Sequence, residues 1–488
     1  MEEFRLRKVN NSNQEAFIEN WINGENDFYT KREDFSLKME EYTHVLDSVF
    51  KTNTVPKVPL YINIVLQALV NNQAYDFKSK GSAYFYEVLI KQTLLNIQTN
   101  QSSIATLDTY LSELSFKMFT IGKGISYSEW AEFHDIHLEK YDMRKQDFKF
   151  EIIKNELMKH EIFSLTDGLH HFNHDYLYYY FIAQHFVDNI DDSEEIKKEF
   201  SSIIRNIDND ENTDILWFVT HFRRNNYIID ELKATAQSLL KETVGLTLDS
   251  DITVFNNLWD KVPTLIYEEA HFKQNRRKRN EIRDKAEENY DDIDKLSKKD
   301  EEYIDYRQSS EVIEYIKARK LSEALGNILK NYSGSLTKDV KEELTHITLD
   351  LSLKSHSELL NRFSENTEHL VNLFSEMLLQ SGKRTKEDSI KKSKEFIYSF
   401  VIALCFSMIK TSIDEISTKN LSKVFERIMK NDESTTALSL ISFGVFLNNY
   451  NVDDDLIRDM KMKYDELADN RFSQATLRIL INQQLLYC

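Results

Sequence analysis

The chain has 488 residues, 41% of them hydrophobic, with only 10 Gly and 3 Pro. That length exceeds one ordinary domain and can bury a core without disulfide or metal staples. Scarce Gly and Pro argue against turn-rich sheet folds and for long helices, and a net charge of −19 argues against broad nucleic-acid binding, because an acidic surface repels phosphate backbones.

In chain order, Phe4 to Val9 reads as a short strand. Asn13 then caps a helix whose stripe is Phe17, Ile18, Trp21 and Ile22. A helical segment follows near 33–51. Pro56 and Pro59 interrupt the chain, and the apolar run 60–66 starts a helix with Pro in its first turn, where the missing N–H costs nothing. Residues 82–98 and 103–120 read as amphipathic helices, broken by Gly122 and Gly124. Ser128 caps a helix at Trp130, and another covers about 145–159. Ile162 to Leu165 and Leu169 to Phe172 flank Asp167-Gly168, which signals a hairpin. Three helices and then a hairpin is the order of a winged helix. An aromatic helix over Tyr176 to Ile190 follows, then helices over 194–270. The stretch 271–309 reads as a charged, solvated linker, and 310–488 as a further helical set with breaks near Gly334, Gly382 and Asn431.

The only cysteines, Cys405 and Cys488, give no disulfide framework or zinc site and fit reducing cytosol. The sequence MEEFRLRKVNN lacks an apolar signal core. The apolar run from Phe396 to Ile409 is shorter than the ~20 residues of a membrane span and reads as a core helix. The expectation is a cytoplasmic, mainly α, multi-domain helical array with one small winged-helix domain and no membrane partner.

A P-loop needs Gly-x-x-x-x-Gly-Lys-Ser/Thr, whose backbone N–H groups cradle phosphates while the hydroxyl holds magnesium. Gly122-Lys123-Gly124 and Gly382-Lys383-Arg384 both lack the hydroxyl residue, so the expectation is no nucleotide site in this chain alone. His134-Asp135, His174-Asp175, His170 and His171 supply imidazole–carboxylate pairs of the kind that hold a divalent cation, but no further carboxylate ligands are identifiable. Arg362 and His369 have the approximate spacing of a HEPN-type ribonuclease pair, a spacing that an ordinary exposed helical pair also gives. The basic run 276–279 lacks the interleaved aromatics of a base-stacking surface.

Val58-Pro59-Leu60-Tyr61-Ile62 resembles the helical-domain motif that follows the NTPase core of bacterial NACHT and related STAND proteins. The segments 111–119 and 125–130 look like the start of that family's winged helix. Phe172-Asn173-His174, followed by the aromatic run 176–184, looks like its signature at the end of the wing. More weakly, 324–336 resembles a segment in the C-terminal part of such proteins. The resemblance implies a C-terminal half without the P-loop core, in which Pro59 packs near adenine and His174 reaches a nucleotide phosphate. It implies the edge of the NTPase core at 1–30, a helical domain at 31–100 and the winged helix at 101–190. A helical extension at 191–270, the linker at 271–309 and a helical sensor domain at 310–488 follow. ATP or ADP with Mg would bind only once an NTPase core is joined, from another chain or a preceding segment, unless the chain is a degenerate relative without one. The implied role is a sensor and switch in antiviral defence, with a protein or viral-protein ligand, a separate effector chain and homo-oligomerisation. Two alternatives stand beside it: a nucleotide-independent helical scaffold, and a hydrolase of HEPN or metal-dependent type.

Overall fold

Helices account for most of the chain, as its composition requires, and a three-stranded antiparallel sheet is the only sheet among the described residues. The computed structural model describes residues 9–24, 32–50, 57–69, 83–97, 104–256, 277, 280–281, 283–285, 309–380, 385–430, 435–449, 458 and 470–485. The chain divides into two compact units. The first comprises residues 1–231 with 280–296, and the second 232–279 with 297–488. The expected strand at residues 4–9 lies outside the described residues except for Val9.

The first unit begins with α1 (Asn11–Gly24), α2 (Arg32–Phe50), α3 (Pro59–Ala68) and α4 (Ala83–Asn96). Its start is capped from far along the sequence. Asn10 Oδ1 accepts the Asn13 N–H at 2.8 Å, and Asp284 accepts the backbone N–H groups of Asn11 and Ser12 at 2.7 and 3.1 Å. A helix leaves its first N–H groups without intrahelical partners, and a carboxylate there also meets the positive end of the helix dipole. The cap is therefore Asn10 with Asp284, not Asn13. The described residues 280–281 and 283–285 are helical, and Asn280 Nδ2 also bonds Glu15.

Next come α5 (Ile104–Ile121), β1 (Ile125–Ser126), α6 (Tyr127–Lys140), α7 (Phe150–Lys159), β2 (Phe163–Thr166) and β3 (Leu169–Phe172). This is the order of a winged helix, and the strands lie β1-β3-β2. The two-residue loop Asp167-Gly168 has φ of 52° and 79°. Positive φ at both positions is the turn that matches hairpin twist, and Asp-Gly accommodates it. Strand β1 was not legible, being two residues long. It moves the α6 cap to Ser126, whose hydroxyl receives the Glu129 N–H while the Glu129 carboxylate accepts the Ser126 N–H at 2.9 Å. Ser128 is not the cap.

The core of this domain is polar in one line. The Trp130 indole donates to the Tyr110 hydroxyl at 2.9 Å, and that hydroxyl lies 3.2 Å from His134 Nδ1. His134 Nε2 lies 3.0 Å from the Phe148 carbonyl oxygen. All four residues are buried. The carbonyl can only accept, so Nε2 carries the proton and Nδ1 receives the Tyr110 hydroxyl.

The aromatic helix is α8 (Asp175–Asn189), packed on α5, α9 (Glu194–Arg205) and α10 (Asp210–Phe222). Its Phe181, Ile182 and Phe186 are fully buried. Burial of such a side chain contributes about 1.5–3 kcal/mol.

After α11 (Asn226–Ser238) and the short α12 (Thr253–Asn256), the second unit contains α13 (Ser310–Tyr332), α14 (Lys338–Glu365), α15 (Thr367–Gln380) and α16 (Lys386–Ile416). It ends with α17 (Ser422–Lys430), α18 (Thr436–Asn449) and α19 (Arg471–Leu485). Helix α16 is the centre of this unit and touches α13, α14, α15, α18 and α19. By length and composition it is the one described helix able to cross a membrane, with mean hydropathy 1.8 over its most apolar stretch, half of which is buried inside the protein. The apolar run predicted as a core helix thus lies within a helix of 31 residues. Gly326 on α13 brings the chain against α16: a Cβ there would lie 2.5 Å from the Glu415 carbonyl oxygen. Behind it, Arg319 pairs with Glu415 at 2.9 Å and Ser322 donates to Glu415 at 2.7 Å. His356 on α14 contacts Ser412 on α16 at 3.1 Å. Burial and the nearby Arg319 charge push its pKa down to about 3, although a bond to the Met408 carbonyl opposes the shift.

Three outcomes follow from this packing. Tyr110→Phe strands the Trp130 N–H and one His134 nitrogen inside the core, and chemical denaturation should show a loss of about 1–3 kcal/mol. Gly326→Val forces a side chain into backbone, and the same measurement should show a loss of about 1–3 kcal/mol or more. For His356, the unfolded imidazole protonates near 6.5 whereas the folded one resists until about 3. Its contribution is therefore complete above pH 6.5 and is lost as pH falls towards 3, by at most about 1.4 kcal/mol per pH unit. Denaturation across that range should show a shallower acid slope for His356→Gln than for the wild type.

Candidate functional site

Sequence reading points to His174 and Pro59, and both lie in the first unit. His174 follows β3 and is the N-cap residue of α8, with extended backbone (φ −132°, ψ 128°) and no side-chain cap bond. The hairpin fixes its position: Asn173 N–H donates to the Ile162 carbonyl at 2.8 Å, closing the strand pair beside it. The half-buried ring stacks on Tyr176 with centroids 5.5 Å apart. Burial lowers its pKa, which Glu161 and Asp175 partly oppose. The ring is thus neutral near pH 7.

Pro59 is the first residue of α3, as its fixed φ favours, with Val58 extended before it. It is half-buried. The approach to α3 is held beside the start of α1: Val9 N–H donates to the Lys57 carbonyl at 2.7 Å, and Lys57 Nζ to Asn11 Oδ1 at 3.1 Å.

A tyrosine pair joins these elements. Tyr61, two residues beyond Pro59, lies close enough to Tyr176, two residues beyond His174, to help burial raise its pKa. Tyr176 also meets Tyr86 of α4 edge to face at 6.0 Å, and the Tyr86 hydroxyl donates to the Val49 carbonyl on α2 at 2.8 Å. Helices α2, α3 and α4 therefore converge on the first turn of α8. Sequence reasoning missed this pair, because no local spacing links Tyr61 to Tyr176.

The arrangement presents a neutral imidazole at the start of a helix, a position suited to one phosphate. Glu161 and Asp175 oppose a second negative charge there. Further along α8, Lys123 is engaged by Glu211 at 3.1 Å and lies 3.4 Å from the Tyr179 hydroxyl, so the lysine of Gly122-Lys123-Gly124 serves as a tie between α5, α8 and α10.

The other candidate residues are dispersed. Both His134 nitrogens are used in the core, and its neighbour Asp135 pairs with Lys145 at 2.8 Å. His170 is buried with Nδ1 3.4 Å from the Ile125 carbonyl oxygen, and His171 is half-buried on the same strand. No group of three His, Cys, Asp or Glu suited to a metal occurs among the described residues. Arg362 ends α14 and pairs with Glu311 and Glu358 at 2.9 and 3.0 Å, whereas His369 is exposed on α15, beyond the helix end at Asn366. They do not share a helix. Of the basic run 276–279, only Arg277 is described, and it is exposed.

No family model, curated protein or solved structure matches the chain significantly.

The Tyr61–Tyr176 contact is directly measurable. Tyr61→Ala and Tyr176→Ala should be non-additive by at least about 0.5 kcal/mol in a double-mutant cycle read by denaturation. Purely additive effects would show that the two side chains do not interact.

Proposed function

We propose that the chain is the regulatory and sensor half of a STAND-type nucleotide switch, acting with a P-loop NTPase core that its own sequence lacks. The observation that supports this most is the convergence of the Pro59 and His174 elements through Tyr61 and Tyr176. The resemblance puts one segment near the adenine and the other at a phosphate of the same nucleotide, and the nearness of Tyr61 to Tyr176 supports that reading. His174 then donates to a phosphate of ADP while the Pro59 turn packs near the base. Neutral His174 is an apt donor, since its release costs no buried charge.

On this reading, nucleotide holds the helical and winged-helix domains against the core. A protein ligand felt by the second unit favours an open, oligomerising state. Such coupling requires the ligand to bind the two states with different affinity. Cytoplasmic location and a role in antiviral defence belong to the same proposal and follow from the resemblance. A nucleotide-independent scaffold is the rival reading, favoured by the many helices and by the apolar surface described below.

The test mixes the full chain with P-loop NTPases encoded beside it and measures retained fluorescent ADP. Retention is expected in one mixture and absent for this chain alone. His174→Ala should weaken it roughly 10- to 100-fold, the worth of a hydrogen bond to a charged group. If no mixture retains nucleotide, the scaffold reading replaces this one.

A further inference from the structure

Helix α15 leaves part of its apolar surface facing away from its own core. Its innermost residues are Thr367, Val371 and Ser375, two of them polar. Leu370, Phe374, Leu378 and Leu379 are half-buried, whereas Leu373 and Met377 are 44% and 58% exposed. On the adjoining helix α16, Phe396 and Phe400 are 55% and 45% exposed. Both pairs have i, i+4 spacing, which places each pair on one helix face. The two faces are contiguous, because Phe374 of α15 meets Phe396 at 5.1 Å and Phe363 of α14 stacks on Phe400 at 5.3 Å. Scattered surface apolar residues need no explanation, but a continuous aromatic and aliphatic patch marks an interaction surface.

The flanks of the patch identify its occupant. Glu376 and His369 border Leu373 and Met377 on the outer side of α15, and Lys392 borders Phe396 on α16. The patch thus carries opposite charges on its two helices. A twofold axis along the helix hairpin would set α15 of one copy over α16 of another. Leu373 and Met377 would then meet Phe396 and Phe400 of the second copy, and Glu376 would face its Lys392. A twofold interface requires such self-complementarity: what i offers, j accepts, and the reverse. A uniformly anionic lipid surface would attract Lys392 but repel Glu376. Within one copy, Lys392 pairs among the described residues with its helix neighbour Glu395, at 2.6 Å, an exposed contact it can exchange at little cost. The net charge of −19 repels a second copy at long range, but physiological salt screens it beyond about 8 Å, leaving the local pairs to decide.

We propose that the α15–α16 face is the contact by which two copies of this chain associate as a twofold dimer.

Sedimentation velocity of the full chain at micromolar concentrations tests this. The expected result is a dimer that Met377→Glu and Phe396→Glu each weaken more than about tenfold, since both bury a charge in the apolar seam. Glu376→Lys and Lys392→Glu should each weaken it roughly three- to tenfold, and the double reversal should restore it. The charge reversals lie at exposed positions, so they still read the interface if a seam variant misfolds by circular dichroism. A monomer at every concentration overturns the proposal, as does a dimer indifferent to these substitutions. A monomer that floats with phosphatidylserine vesicles through Phe396 and Phe400 also overturns it, and would assign the face to lipid.

Discussion

Inside the winged helix, three side chains and one carbonyl share their hydrogen bonds in a line that has only one workable direction. Trp130 can only donate and the Phe148 carbonyl can only accept, so Tyr110 and His134 must pass the direction between them. A buried polar group left out of such a line forfeits its hydration without recompense. The line therefore fixes α5 against α6 and both against the approach to α7. Phe163 of β2 lies on Trp130 with centroids 4.7 Å apart, so the hairpin inherits that geometry. The hairpin ends at Phe172, and the position of His174 follows from it. Residues far from His174 thus set where it lies.

The second unit uses the same logic between longer helices. Arg319, Ser322 and Glu415 join α13 to α16, while Ser352, His356 and Ser412 join α14 to α16. Hydrophobic contact alone would let a helix such as α16 slide by a turn. Paired polar groups at fixed heights remove that freedom, and Gly326 permits the close approach they need.

Much of the local architecture was legible. Helices over 83–96 and 104–121 are found where periodicity placed them, because their apolar stripes face a core. The Asp167-Gly168 hairpin and Pro59 at the head of its helix followed from backbone preferences that need no tertiary context. The start of α6 was misplaced by two residues because Ser126 and Ser128 are both capping residues, and only the pairing of Ile125 with His170 selects the first. The tyrosine contact between α3 and α8 was invisible, as was the tie of Lys123 to Glu211, since each joins residues separated by tens of positions. His134-Asp135 read as a metal pair because sequence cannot show that one member points inward and the other outward.

The Asp284 cap has a consequence for synthesis. The carboxylate that completes the first helix is encoded 273 positions after the residue it holds. At roughly 5–20 residues per second, the ribosome delivers it about 14–55 s after Asn11. During that interval the beginning of α1 must rely on Asn10 and water. The opening segment of this unit can therefore reach its finished form only after the rest of the unit, and part of the next, has already been translated.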